Sequence, residues 1–284
     1  MADHKLTHDD YTTANFPIWC PGCGDFAILY AIKRCLASLD IRPSQALLFT
    51  GIGCSSRLPG FLNAYGINGV HGRCLPVAMG AKIANPDLFV MASGGDGDGL
   101  SIGAGHFVHA CRRNLDVVYI MMQNYIYGLT KGQPSPSTET GHVTAASPFG
   151  STEYPVNSVA LAITSGATFV ARAFAGNPDQ LNDIIEASFK HTLAGKGFAF
   201  VEAISPCVTY HDTYYYRDFI EDIPPKHDPH NAIKAYELAL KTEKQAIGIL
   251  YQTEKPTLLD MLNANAQKTK KMKLEQLIGN YTWR

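Results

Sequence analysis

Apolar residues in this chain gather in short runs broken by glycine-rich turns, and the most regular succession lies between Leu88 and Lys131. Leu88 to Ala92 is apolar throughout, as expected of a strand covered on both faces. Gly94-Gly95-Asp96-Gly97-Asp98-Gly99 follows, then a helix-patterned stretch from Leu100 to Cys111, then a second apolar run, Val117 to Met122, that stops at Asn124. Strand, turn, helix and strand make a βαβ unit. A right-handed crossover lays its strands parallel, so their carboxyl ends share the edge where open α/β sheets bind ligands. Asp96 and Asn124 stand just past those ends. Their oxygens suit Mg²⁺, which usually arrives with a phosphate. The glycines let the backbone approach an anion, and a helix after Gly99 would turn its N-terminus toward it. A Gly-Asp-Gly alone is equally a tight acidic turn; the distant Asn at a second strand end favours the metal.

The same alternation runs through the rest of the chain. Residues 1–16 read as an irregular arm. Phe26 to Leu39 is an amphipathic helix with Asp25 as its cap, and Ala46 to Thr50 a buried strand that ends in Gly51-Ile52-Gly53-Cys54-Ser55-Ser56-Arg57. Gly69-Val70-His71-Gly72-Arg73 precedes a helix over 76–84. After Asn124 the chain continues as Tyr125 to Gln133, and Pro134 to Pro155, rich in Pro, Ser, Thr and Gly, predicts a long ordered loop near the site. A short helix (159–164), a strand (168–172), a helix (179–193) and a strand (198–204) lead to Ser205-Pro206-Cys207. Composition shifts at Val208. The aromatic stretch His211 to Phe219 suits packing or, at Tyr214-Tyr215-Tyr216, a partner surface; Asn231 to Lys241 is helical; and the charged end carries a basic run, Lys268 to Lys273, that suits a solvated face or a docking tail. The whole predicts an α/β domain over 1–210, with a parallel sheet flanked by helices, and a C-terminal extension over 211–284 that packs on it or on a partner subunit.

Composition narrows the function. Of 284 residues, 46% are apolar and 17% charged, and the net charge of −1 leaves no footprint for nucleic acid. No apolar run is long enough to span a bilayer, and Met1 to Thr13 lacks a signal core, so a cytoplasmic protein is expected. Seven cysteines in such a chain argue for metal or redox chemistry over disulfides. Cys20, Cys23, Cys54 and Cys207 stand at turns, whereas Cys35 and Cys111 lie on helices and Cys74 beside Arg73. Four thiolates suit zinc or an iron–sulfur cluster. Spacing does not decide between them, although a single Cys-x-x-Cys pair leans slightly to iron–sulfur, and a disulfide or four unrelated thiols stay open. His71, set among glycines, is less ordinary than a lone histidine; Arg57 and Arg73 also read as plain surface cations.

Taken together, Cys20-Pro-Gly-Cys23-Gly-Asp, Gly51-Ile-Gly-Cys54-Ser-Ser, His71-Gly-Arg73, Gly95-Asp-Gly-Asp98 and Asn124-Tyr-Ile-Tyr-Gly-Leu-Thr-Lys131 resemble the β subunit of the 2-oxoacid:ferredoxin oxidoreductases, over about Cys20 to Cys207. The resemblance implies a thiamine-diphosphate-binding fold, in its diphosphate-binding half. It assigns Mg²⁺ to Asp96, Asn124 and the Ile126 carbonyl, and the cofactor to Gly95, Gly97, Asp98, Leu129 and Thr130, with Gly72 and Arg73 beside them. Ser55, Ser56 and His71 would sit at the reacting centre, and Cys20, Cys23, Cys54 and Cys207 would hold one 4Fe–4S cluster. The implied chemistry is attack on a 2-oxo acid, loss of CO₂, transfer of single electrons through the cluster to ferredoxin, and passage of the acyl group to coenzyme A.

The carboxylate that activates the aminopyrimidine usually comes from a second domain, and the resemblance covers only the diphosphate-binding half. The resemblance therefore implies an α subunit that supplies that glutamate and much of the coenzyme A site, in an (αβ)₂ assembly. Ser55-Ser56-Arg57 looks like the version found in enzymes for 2-oxoglutarate, with Arg57 on the distal carboxylate and Lys131 a second substrate contact. Pyruvate is the next substrate. A non-redox decarboxylase half with structural zinc is the alternative outside the family.

Overall fold

A computed structural model describes residues 5–211, 214–241, 243–268 and 274–279. Its elements in chain order are α1 (Asp25–Ser38), β1 (Ala46–Thr50), β2 (Tyr65–Asn68), α2 (Cys74–Ala84), β3 (Phe89–Gly95), α3 (Asp96–Leu100), α4 (Ala104–Arg113), β4 (Val117–Gln123), β5 (Ile126–Tyr127), β6 (Gln133–Pro134), α5 (Ser158–Thr164), β7 (Phe169–Phe174), α6 (Pro178–Leu193), β8 (Ala199–Ile204), β9 (Ile220–Asp222), α7 (Ala232–Ala239), β10 (Gln245–Gln252), α8 (Leu258–Lys268) and α9 (Leu274–Gly279). Eight strands form one sheet in the order β2-β1-β3-β4-β8-β7-β10-β9, and β5 and β6 pair separately as a small antiparallel hairpin.

From β2 to β7 every neighbouring pair is parallel. The carboxyl ends of β1, β3, β4 and β8 therefore open on one edge. The chain steps from β1 to β2 on one side and then to β3 on the other, which makes a switch point at that edge. All seven residues of β4 are buried, and they alternate between two cores. Val118, Ile120 and Met122 pack with Ile28, Ile32 and Leu36 of α1 and Leu181, Ile185 and Phe189 of α6; Val117, Tyr119 and Met121 pack on the opposite face with Leu75 of α2, Phe107 of α4 and Val159 of α5. A period of two across a sheet clad in helices on both sides explains why these strands read as continuous apolar runs.

The predicted parallel α/β domain is present, with three differences. Asp25 does not cap α1. Gly24 occupies the cap, and Asp25 is the first helical residue, buried, its carboxylate accepting the Ser205 hydroxyl at 2.5 Å. The helix expected after Gly99 begins at Asp96, so the glycine turn is itself helical, and α4 starts only at Ala104. The region beyond 210 continues the same sheet: β10 runs antiparallel to β7 and carries β9. The side chains of Tyr215 and Tyr216, and the basic run after Lys268, lie outside the described residues. Among the described residues no helix is long and apolar enough to cross a membrane.

Candidate active site

Asp96 opens α3 where β3 ends, and Asn124 follows the last residue of β4. Both line a cavity of about 510 Å³ together with Ser55, His71, Gly95, Gly97, Asp98, Ile126, Leu129 and Thr130. Asp96 is 1% exposed. The hydroxyls of Ser135 and Ser137 donate to its Oδ2, and among the described residues neither Lys nor Arg pairs with it. Burial raises its carboxyl above the ordinary range; the two hydroxyls and the Asn124 N–H pull the other way. An ionised carboxylate held out of water by hydroxyls and main-chain N–H groups, with no cationic side chain, is costly and is matched by a cation. Asn124 Oδ1 accepts the Ile126 N–H at 3.1 Å. Pro134, which faces Ile126 across the hairpin, has no N–H to give the Ile126 carbonyl. Three oxygens thus border one space, and the donor set fits Mg²⁺.

Two glycines are there because larger residues would not fit. A Cβ on Gly97 would lie 2.2 Å from the Tyr127 ring, whose hydroxyl donates to the Gly97 carbonyl at 3.2 Å. A Cβ on Gly51 would lie 2.1 Å from the Asp98 carboxylate. Asp98 ties three turns together. Its Oδ1 accepts the N–H of Ile52 at 2.9 Å and of Gly72 at 2.7 Å, and His71 Nδ1 stands 3.2 Å away. Burial raises the Asp98 carboxyl, against the pull of those two N–H groups and His71. With Nδ1 turned to Asp98, His71 has Nε2 left for the cavity it lines.

A second cavity, of about 220 Å³, is lined by Cys20, Cys23, Cys54 and Cys207. These come from three distant segments, and main-chain contacts assemble them. The Cys23 N–H bonds the Cys20 carbonyl at 2.9 Å, the Gly24 N–H bonds the Pro206 carbonyl at 3.1 Å, and Trp19 Nε1 bonds the Cys54 carbonyl at 2.7 Å. All seven cysteines are free thiols. Burial, reinforced by Asp25, pushes Cys54 up to about 11 and Cys23 higher still. Arg57 pulls Cys54 the other way but does not outweigh burial, so these sulfurs suit a metal centre that would hold them as thiolates. Cys54, Asn124, Gly128 and Leu129 line both cavities, so a common wall separates them.

Comparison with known proteins places this geometry. Residues 51–203 match the family model for the C-terminal TPP-binding domain of thiamine pyrophosphate enzymes, and residues 207–267 match the C-terminal model of the pyruvate ferredoxin oxidoreductase β subunit. The chain is 45% identical to 2-oxoacid:ferredoxin oxidoreductase 1, subunit beta, of Aeropyrum pernix, over 77% of this chain and 69% of that protein. The chain belongs to the β subunits of the 2-oxoacid:ferredoxin oxidoreductases. It is also 37% identical to the 2-oxoglutarate synthase subunit KorB of Methanocaldococcus jannaschii, over 89% of this chain and 94% of the relative. In structure it matches a chain of the 2-oxoglutarate:ferredoxin oxidoreductase of Magnetococcus marinus with a TM-score of 0.92 and 39% identity, covering 100% of this chain and 98% of that one. The fold is the thiamine-diphosphate-binding fold and thiamine diphosphate is its cofactor; a β subunit of this kind works with an α subunit.

Not every residue singled out from the sequence meets in this β subunit's cavities. Ser56 is buried but lines neither; its carbonyl takes the Thr50 hydroxyl at 2.8 Å and the Asn68 amide at 2.6 Å. Arg73 is exposed at the start of α2, on the Ile102 carbonyl at 3.2 Å, and Gly72 contributes through its N–H to Asp98. Arg57 is exposed and lines the sulfur cavity, not the larger one, and Lys131 is exposed in a left-handed turn (φ 77°). Conversely, the sequence reading missed Ser135 and Ser137 on Asp96 and Thr138, whose hydroxyl donates to the Tyr125 carbonyl at 2.5 Å. The Pro-Ser-Pro-Ser-Thr composition signalled only a loop. Its burial was the missing datum.

Proposed function

We propose that this β subunit, with its α partner in an (αβ)₂ assembly, carries out the coenzyme A-dependent oxidative decarboxylation of 2-oxoglutarate to succinyl-CoA and CO₂. Electrons leave singly through one 4Fe–4S cluster on Cys20, Cys23, Cys54 and Cys207 to ferredoxin, and the reverse carboxylation uses the same parts. The carrying observation is the common wall of the two cavities: an electron source and an electron acceptor need to be neighbours. The relative from Magnetococcus marinus has 2-oxoglutarate, coenzyme A and succinyl-CoA bound, which supports this substrate for the present chain. Free thiols throughout favour a reducing, cytoplasmic setting.

Thiamine diphosphate, when bound, supplies a nucleophilic thiazolium carbon and an electron sink. Asp96, Asn124 and the Ile126 carbonyl hold its Mg²⁺, Gly95 and Gly97 leave room for the diphosphate, and Leu129 and Thr130 close the cavity. Asp98 keeps His71 and the Cys54-Ser55 turn in place. Ser55 and His71 Nε2 offer hydrogen bonds at the reacting end. Iron–sulfur is favoured over zinc by sulfur spacing. Four thiolates on one zinc stand about 3.8 Å apart, given Zn–S bonds of about 2.3 Å. Among the described residues the four cysteine sulfurs do not converge within 4.8 Å. The corners of a four-iron cluster need wider spacing.

The test is viologen reduction by the anaerobically purified αβ complex with several 2-oxo acids and coenzyme A. Turnover should be fastest with 2-oxoglutarate and absent without coenzyme A; equal turnover with pyruvate would overturn the substrate reading. Arg57 is the proposed partner of the distal carboxylate, so Arg57→Ala should raise the KM for 2-oxoglutarate about tenfold or more, in line with a lost charge-assisted contact. An equal rise for pyruvate would remove Arg57 from that role.

A further inference from the structure

A third group of ligating side chains lies outside both cavities. Glu139, His142 and His211 bring a carboxylate oxygen and two imidazole nitrogens within 4.8 Å of one another, and among the described residues this is the only such group of three. We propose that Glu139, His142 and His211 bind one divalent transition-metal ion of the zinc class, which clamps the loop over Asp96 to the strap that follows Cys207.

The geometry is close to what such an ion needs. Glu139 Oε2 lies 3.8 Å from His211 Nε2, and the rings of His142 and His211 stand 4.1 Å apart at 41°. Ligands of a tetrahedral zinc with bonds of about 2.0–2.1 Å are about 3.4 Å apart, so a small side-chain rotation completes the set. At 3.8 Å the Glu139–His211 pair is too long for a hydrogen bond, and His142 stands against the His211 ring and acts electrostatically on Glu139, so all three side chains face one point. Glu139 Oε2 is shielded from solvent and has no hydrogen-bond partner among the described residues. His211 is 5% exposed, while Glu139 and His142 are half-buried, which leaves an entry path.

The backbone prepares the site. The His142 N–H bonds the Glu139 carbonyl at 3.1 Å in a turn that sets both side chains together. The His211 N–H bonds the Cys207 carbonyl at 3.0 Å, closing the strap that carries the third ligand. Two imidazoles and one carboxylate select zinc, nickel, cobalt or iron(II) over Mg²⁺ or Ca²⁺, which take oxygen. The site adjoins the working parts of the protein. Glu139 follows Thr138 in the loop whose serines hold Asp96, and His211 is held to Cys207 itself. An ion here fixes two loops next to the Asp96 and sulfur cavities.

The test uses the anaerobically purified αβ complex with its thiamine diphosphate, Mg²⁺ and iron in place, dialysed free of other metals. Zinc chloride is titrated by calorimetry, and the bound zinc is examined by X-ray absorption. One zinc per chain should bind, with nitrogen and oxygen neighbours and no sulfur. Glu139→Gln and His142→Asn should each weaken binding at least 100-fold without loss of iron. Absence of saturable zinc binding by the wild type, unchanged binding in both variants, or sulfur in the zinc shell would each overturn the proposal. The absorption spectrum is read on the wild type, so a variant that fails to fold does not blunt the test.

Discussion

Replacing Asp96 with Asn separates what the carboxylate costs from what it holds. The residue is 1% exposed, and burial raises its carboxyl. Asn keeps the shape and can still accept the Ser135 and Ser137 hydroxyls on its amide oxygen, but no longer places a charge out of water. The cofactor-free αβ complex should therefore melt at or above the wild-type temperature. Cofactor-induced stabilisation should behave oppositely. A ligand at 100 times its Kd stabilises by about 2.7 kcal/mol, or on the order of 5 °C for a chain of this size. Loss of one anionic ligand from Mg²⁺ should weaken binding by about 100-fold or more. At the same cofactor concentration that leaves about 0.4 kcal/mol, roughly 1 °C. Thermal melts with and without thiamine diphosphate and Mg²⁺ give both numbers. A variant that keeps the wild-type shift would refute Asp96 as the metal ligand, and one that melts lower without cofactor would refute the desolvation argument.

Other parts of the structure make separate predictions. Gly97→Ala would set a Cβ 2.2 Å from the Tyr127 ring, so thiamine diphosphate binding by fluorescence titration should be lost while the far-ultraviolet dichroism is kept; normal binding would show that Tyr127 can move aside. Arg172 Nε and Glu202 form a buried ion pair, and Ser158 donates to the same carboxylate. Arg172→Met alone should cost about 3–5 kcal/mol in urea melts, and Arg172→Met with Glu202→Leu should recover most of it, because the lone buried charge is the expensive state. Burial, with Lys196 adding to it, holds His191 down to about 4. The folded value lies below the unfolded value of about 6.5, so the neutral ring's contribution is complete above pH 6.5 and is lost as pH falls toward 4. At pH 5 the loss is about 2 kcal/mol, and His191→Gln should melt with a visibly flatter dependence between pH 7 and 5; an unchanged slope would remove His191 as its source.

The local pattern carried the sheet and its binding edge. Strands such as Val117–Gln123 are apolar because helices cover both sides, and that signal needs no tertiary knowledge. Asp96, Asn124 and the four cysteines were legible because strand ends and tight turns are set by short-range sequence. What was not legible depended on distance. Tyr65–Asn68 is exposed along its length and contains a glycine, so nothing local marks it as a strand. Gln245–Gln252 carries Gly248 at φ 140° and shifts register between Ile249 and Tyr251, which breaks the alternation that would have announced it. The serines on Asp96 lie 39 and 41 residues downstream of it, in a loop whose composition does not reveal that it folds inward. Asp98 reads as a cofactor contact from its place in the glycine turn. Its Oδ1 also meets Ile52, Gly72 and His71, from segments that only the fold brings together.

The most direct test of the central reading is electron paramagnetic resonance of the anaerobic αβ complex, loaded with thiamine diphosphate and Mg²⁺, before and after 2-oxoglutarate and coenzyme A are added. A reduced 4Fe–4S signal that grows with succinyl-CoA and disappears in Cys54→Ser is the predicted result. Succinyl-CoA or CO₂ formed with no such signal, from a protein that holds zinc at Cys20, Cys23, Cys54 and Cys207, would contradict it.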